Sequence, residues 1–185
     1  QQAHIGTRRR SGKPVGMLAL KQLLLSLLLR PESAVVAVQG MVAETLLAPF
    51  AVSRASRLFR EHPEYLIRDE FGRPLPAGYN PIWKGIYYGL DATHPRFREY
   101  LAEVVDTIVN EWGFDLLKCD FLFAACLRGG NHHEMGLSRA EILKSGMRLL
   151  RERAGEGAFL MGCGMPLSAG IGLVDAMRVG PDTGD

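Results

Sequence analysis

The 185 residues are 47% hydrophobic and 23% charged, with a formal net charge of +2. That balance excludes a disordered chain, and a chain of this size can bury roughly 70% of its unfolded surface. The charge is too mild, and the basic residues beyond the N-terminus too interspersed with acids, to declare a nucleic-acid partner.

In chain order the first distinctive segment is Met17 to Leu29, "MLALKQLLLSLLL", which follows Arg8, Arg9, Arg10 and Lys13 like the charged end of a signal peptide. Lys21, Gln22 and Ser26 interrupt it and Arg30 closes it, whereas about 18 uninterrupted apolar residues are needed for a span. No membrane association is expected. Cys119, Cys126 and Cys163 are odd in number and lack CxxC spacing, giving no sign of a disulfide framework or zinc module; a reducing, cytoplasmic setting is expected.

From Glu44 onward, short apolar runs alternate with longer helical stretches, the pattern of βα units and a parallel sheet. "ETLLAPF" (Glu44 to Phe50) reads as a buried strand stopped by Pro49. Ser53 to Phe59 reads as a short helix, and Glu61 to Pro81, rich in Pro and Gly, as an irregular excursion long enough to suggest function. "GIYYGLDAT" (Gly85 to Thr93) is a second strand-like run, ending where Thr93 can cap a helix whose first turn contains Pro95. In that helix Phe97, Tyr100, Leu101, Val104, Val105, Ile108 and Trp112 recur at three- and four-residue spacing, and Gly113 ends it.

"FDLLKCDFLF" (Phe114 to Phe123) is apolar enough for a strand covered on both faces. After the polar loop "RGGNHHEMG", Ser138 and Glu141 have capping-box spacing, and the helix they open should run to about Ala154. "GAFLMGCG" (Gly157 to Gly164) and "GLVDAMRVG" (Gly172 to Gly180) complete five strand candidates. The fold class expected is α/β, part of a (β/α)8 barrel, with catalytic groups at the C-terminal ends of strands. A whole barrel typically takes about 250 residues, so a truncated catalytic domain is expected.

Asp120 and Asp182 lie at or just beyond two such ends. Side chains alternate along a strand, so Lys118 and Asp120 share one face and Cys119 takes the other, setting an ammonium beside a carboxylate that must stay ionised to act as a nucleophile. Arg178 precedes Asp182 by four positions, and Gly180-Pro181 places Asp182 on a loop. Spacing alone leaves two plainer alternatives equally open: a strand-end ion pair for Asp120 and a turn-satisfying role for Asp182. Paired carboxylates nevertheless match the needs of glycoside hydrolysis, in which one attacks the anomeric carbon and the other exchanges a proton.

His132 and His133 with Cys126 lack a metal-ligand spacing and are not expected to bind metal. Trp83, Tyr87 and Tyr88 could stack on sugar, but packing of the excursion against the barrel is preferred. Asp91 is expected to support the start of the helix, and Cys119 to be a buried small apolar residue.

Taken in order, "APF" with "SRLFREHPEYLI", "LDATHPRFREYL", "WGFDLLKCDF", "GCGMPL" and "DAMRVGPDTG" resemble glycoside hydrolase family 36, the α-galactosidases or melibiases, over Leu47 to Asp185. The resemblance implies that Asp120, in the family's K-x-D motif, is the nucleophile and that Lys118 hydrogen-bonds galactose hydroxyls. It implies that Asp182, in the R-x-x-x-D motif, is the general acid/base and that Arg178 contacts a sugar hydroxyl. The resemblance also implies a pocket-wall position for Cys163. The implied function is retaining hydrolysis of terminal α-linked galactose from oligosaccharides such as melibiose or raffinose, with no cofactor and with a homo-oligomer possible for the full-length parent.

The chain departs from the family pattern in two ways. The upstream aspartate pair that grips galactose, the early strands, the N-terminal β-sandwich and everything after the acid/base strand are absent, and "QQAHIG" resembles the stretch following that pair. Between Thr7 and about Glu44 the resemblance fails, which divides the chain into a poorly matching segment, residues 1–46, and a central barrel part, residues 47–185. The mismatch is attributed to translation out of frame or wrong assembly of the coding sequence, with a divergent helix at Met17 to Leu29 as the alternative. The competing functional reading is a catalytically inactive barrel fragment acting at most as an interaction module.

Overall fold

The computed structural model describes residues 34–39 and 42–180. Met17 to Leu29 and Asp182 therefore lie outside the described residues, as does most of the poorly matching segment. In chain order the strands are β1 (Ala34–Gln39), β2 (Val42–Leu47), β3 (Ala51–Ser53), β4 (Pro76–Asn80), β5 (Gly85–Gly89), β6 (Leu116–Cys119), β7 (Phe159–Gly162) and β8 (Ala176–Met177). The helices are α1 (Arg57–Glu61), α2 (Pro95–Asp106), α3 (Arg139–Ala154) and α4 (Leu167–Gly170). No helix among the described residues is long and apolar enough to cross a membrane.

The main sheet has the order β1-β2-β6-β7-β8. β2, β6, β7 and β8 pair in parallel, with α2 and α3 carrying the chain between successive strands, as in part of a (β/α)8 barrel. The sheet is open among the described residues. β1 runs antiparallel to β2, because only Gly40 and Met41 separate them and a parallel crossover needs a dozen residues or more.

One strand candidate belongs elsewhere. The Gly85–Gly89 run is not in the barrel sheet but lies between β3 and β4, antiparallel to both. The short turn Pro81 to Lys84 brings β4 back against β5, so hairpin pairing satisfies the run locally. Residues 48–94 thus form one long insertion between β2 and α2, and its supposedly irregular part contains β4 and a 3-10 turn at Pro63–Tyr65. Ser53 to Phe59 is likewise not one helix. Ser53 ends β3, and α1 begins after Ser56, whose hydroxyl accepts the Phe59 N–H at 3.1 Å.

α2 is capped by His94 rather than Thr93: His94 Nδ1 accepts the Phe97 N–H at 3.4 Å, while the Thr93 hydroxyl donates to Asp91 Oδ1 at 2.7 Å. Phe97, Leu101 and Val105 form the buried stripe of α2, continued by Ile108 in a π-helical turn before Gly113 at φ +72°. α3 starts from the full capping box, with Ser138 N–H donating to Glu141 at 2.7 Å, and ends at Ala154. Gly146 on α3 permits close packing on the insertion, because a Cβ there would sit 2.6 Å from Phe50 Cζ.

Candidate active site

β6 ends at Cys119, with Leu117 and Cys119 fully buried and Leu116 and Lys118 half-buried on the alternate face. Asp120 is the next residue and is 8% exposed. Its N–H donates to Leu47 O at 2.8 Å, which sets it level with the C-terminal end of β2. The predicted strand stops here instead of running to Phe123. Phe121 adopts φ 54°, ψ 31°, and a 3-10 turn, Leu122–Cys126, follows. The chain then switches partners: Leu122 N–H donates to Cys163 O at 3.4 Å and Phe123 N–H to Gly164 O at 2.8 Å, both past the end of β7.

Arg178 stands one residue past β8, its N–H donating to Gly162 O at 2.9 Å. Its Nη2 lies 3.5 Å from Asp120 Oδ1. Phe121 N–H donates to that same oxygen at 2.8 Å. Both of these hydrogen bonds to the Asp120 side chain fall on Oδ1. Lys118 forms no ion pair with Asp120 among the described residues; the nearby cation is the guanidinium from β8.

Cys163 is fully buried directly after β7, its N–H donating to Cys119 O at 2.8 Å. Burial, and next the neighbouring Cys163, push the Cys119 thiol up to about 12. Gly164 lies against the carboxylate, since a Cβ built on it would be 3.6 Å from Asp120 Oδ1. Thus Asp120, Arg178 and the Cys163–Gly164 segment meet at the C-terminal ends of β6, β7 and β8, while Lys118 sits one residue back from the end of β6.

Trp83 and Tyr87, for which packing of the excursion against the barrel is the preferred expectation, lie against the residue that follows Asp120. The Phe121 ring packs on Trp83 and Tyr87, with centroids 5.0 and 5.2 Å away. Burial, and then the charge of Asp120, raise the Tyr87 phenol above its ordinary value. Tyr87 and Tyr88 are buried, so the insertion packs these rings inward.

Asp91 has a different task. Its Oδ1 accepts from Thr93 N–H at 2.9 Å and lies 3.0 Å from His132 Nδ1, and its Oδ2 accepts from His133 N–H at 2.6 Å. The buried carboxylate therefore ties the histidine loop to the start of α2, beyond the helix support expected of it. Among the described residues no group of three or more His, Cys, Asp or Glu could hold a metal ion.

No protein-family model matches the chain. An α-galactosidase from Thermus thermophilus, in complex with p-nitrophenyl α-D-galactopyranoside, shares 40% identity over 77% of this chain and 28% of its own, with a TM-score of 0.67. The same enzyme in complex with stachyose matches at 40% identity over 74% of this chain and 28% of its own, TM-score 0.64. The chain thus spans about 28% of the length of the enzyme it matches. A family GH31 sulfoquinovosidase from E. rectale, 12% identical over 71% of this chain and 19% of its own with a TM-score of 0.52, shares the fold alone.

Proposed function

Since this chain is related to the α-galactosidases of glycoside hydrolase family 36, we propose that it is the central part of a retaining α-galactosidase barrel with Asp120 as nucleophile. The observation that carries this reading is the convergence of Arg178 and Asp120 at the C-terminal ends of β8 and β6. Arg178, which opens the R-x-x-x-D motif, thereby meets Asp120 of the K-x-D motif across β7, at the barrel face where such enzymes hold their chemistry.

In the proposed reaction Asp120 Oδ2 attacks the anomeric carbon while protonated Asp182 donates its proton to the departing glycosidic oxygen. A covalent galactosyl-enzyme forms. Asp182, now a carboxylate, takes a proton from water, whose oxygen attacks the same carbon and releases galactose with retained configuration. Arg178 and the Phe121 N–H hold Oδ1 and leave Oδ2 to react. Lys118 is assigned to sugar hydroxyls and Cys163 to the pocket wall. Terminal α-linked galactose of oligosaccharides is the substrate class, on the strength of the stachyose and p-nitrophenyl galactoside bound by the Thermus enzyme. A cytoplasmic setting is proposed, in keeping with three buried cysteines.

A second reading is favoured by one observation, the sheet left open among the described residues: on this reading the chain by itself lacks turnover. Hydrolysis of a chromogenic α-galactoside by purified protein tests both. Turnover lowered roughly 10⁴-fold by Asp120→Asn supports the retaining assignment. Turnover unaffected by that substitution sinks it, and none in the unsubstituted chain selects the inactive reading.

A further inference from the structure

Among the described residues only Lys84 and Phe121 combine a side chain with positive φ, 54° in each case. Such a conformation is uncommon for a bulky residue and persists only where the surroundings impose it. The two positions flank a single contact. Lys84 closes the β4–β5 turn, with its N–H donating to Pro81 O at 3.1 Å, and Asn80 Oδ1 accepts from Ile82 N–H at 2.8 Å and Trp83 N–H at 3.2 Å. The turn so built presents Trp83, whose ring lies 5.0 Å from Phe121 and 5.4 Å from Tyr87.

Phe121 in turn donates its N–H to Asp120 Oδ1 at 2.8 Å. Its left-handed backbone is what lets the chain pass from β2, through Asp120 N–H on Leu47 O, to the segment after β7. An extended Phe121 would continue β6 and aim its N–H elsewhere.

We propose that Trp83 and Tyr87 are positioning residues for Asp120, clamping Phe121 in its left-handed conformation so that its N–H holds Oδ1 and Oδ2 faces the substrate. The insertion of residues 48–94 then serves the nucleophile strand directly, through its β4–β5 turn. The consequence for catalysis rests on the α-galactosidase reading; the mechanical coupling does not.

The test uses the whole chain with Trp83→Ala, Trp83→Phe and Asn80→Ala. Amide exchange of Phe121, followed by NMR, should rise roughly tenfold in Trp83→Ala and return towards the original rate in Trp83→Phe, with α3 amides unchanged. Unchanged Phe121 exchange in Trp83→Ala overturns the proposal. If Trp83→Ala loosens every element, Asn80→Ala, which removes only the support of the turn, is judged by the same two outcomes.

A galactose-configured cyclitol epoxide, which esterifies a retaining nucleophile, supplies the chemical arm. Labelling of Asp120 at a maximal rate roughly tenfold lower in Trp83→Ala, with little change in the concentration for half-maximal rate, supports positioning. Equal maximal rates overturn it. Absence of labelling in the unsubstituted chain selects the inactive reading, while Phe121 exchange still decides the clamp.

Discussion

Arg178, one residue past the two-residue strand β8, reaches across β7 to place Nη2 3.5 Å from Asp120 Oδ1, while Lys118, on the same strand as Asp120, makes no ion pair with it among the described residues. Proximity in sequence and proximity in charge therefore part company. An arginine is well suited to the task, because its guanidinium stays charged at any working pH and can hold a carboxylate while contacting a second group.

Replacing Arg178 should show this division of labour. Arg178→Lys keeps a positive charge but loses the planar fork, and Arg178→Ala loses both. On the α-galactosidase reading we expect kcat/KM to fall by roughly 10²-fold for Arg178→Ala and less for Arg178→Lys, as for removal of a charged positioning contact in a dry site. Steady-state kinetics on a chromogenic α-galactoside measure it. Lys118→Ala, by contrast, should act mainly through KM if its role is to bind sugar hydroxyls.

The two carboxylates can be told apart by the product they allow with azide. On the retaining reading, azide in Asp120→Gly should fill the place of the nucleophile and attack once, giving β-galactosyl azide. With Asp182→Gly the same reading expects Asp120 to form the covalent intermediate and azide to replace water in the second step, giving α-galactosyl azide. Product analysis by NMR reads the configuration directly, and the opposite pattern would exchange the two assignments.

Local and long-range determinants explain which parts of the fold and site are legible in the sequence. The capping box of Ser138 and Glu141 is legible because it depends only on a three-residue spacing. The parallel order of β2, β6, β7 and β8 is legible because apolar strands alternate with an amphipathic helix or a capped one. Gly85–Gly89 is not, since an apolar run of that length looks alike in a barrel strand and in a hairpin, and only the neighbouring Pro76–Asn80 decides. The helix cap moves from Thr93 to His94 because Asp91 engages the Thr93 hydroxyl, and Asp91 is itself held by a loop some forty residues further on. At the site, K-x-D spacing makes Asp120 a candidate, with a strand-end ion pair equally open, and cannot show that Phe121 turns left-handed beneath Trp83 and Tyr87.

The cysteines give a simple check on packing. All three are buried, and burial raises the thiols of Cys119 and Cys126, so the reactive thiolate is scarce at neutral pH. A chromogenic disulfide reagent should modify none of the three rapidly in the native chain and all of them in denaturant. Fast native reaction at Cys163 would mean that the strand ends around Asp120 open readily.

Acid should loosen the chain partly through Asp91. Burial alone would raise its carboxyl pKa, but donors from His132, the His133 N–H and Thr93 outweigh burial and hold it below the ordinary value. A depressed carboxyl contributes stability that is fully present above the unfolded pKa, about 3.9, and is lost as pH falls through the lower folded value. Asp91→Asn removes this titration and strands the His133 N–H that faced the second oxygen, Oδ2. We expect it to lower stability at neutral pH by about 2–4 kcal/mol and to flatten the fall in stability below pH about 4. Urea unfolding followed at a series of pH values measures both, and an acid limb as steep in Asp91→Asn as in the unsubstituted chain would assign the acid sensitivity to other carboxylates such as Asp175, which Leu160 N–H and Arg151 also hold low.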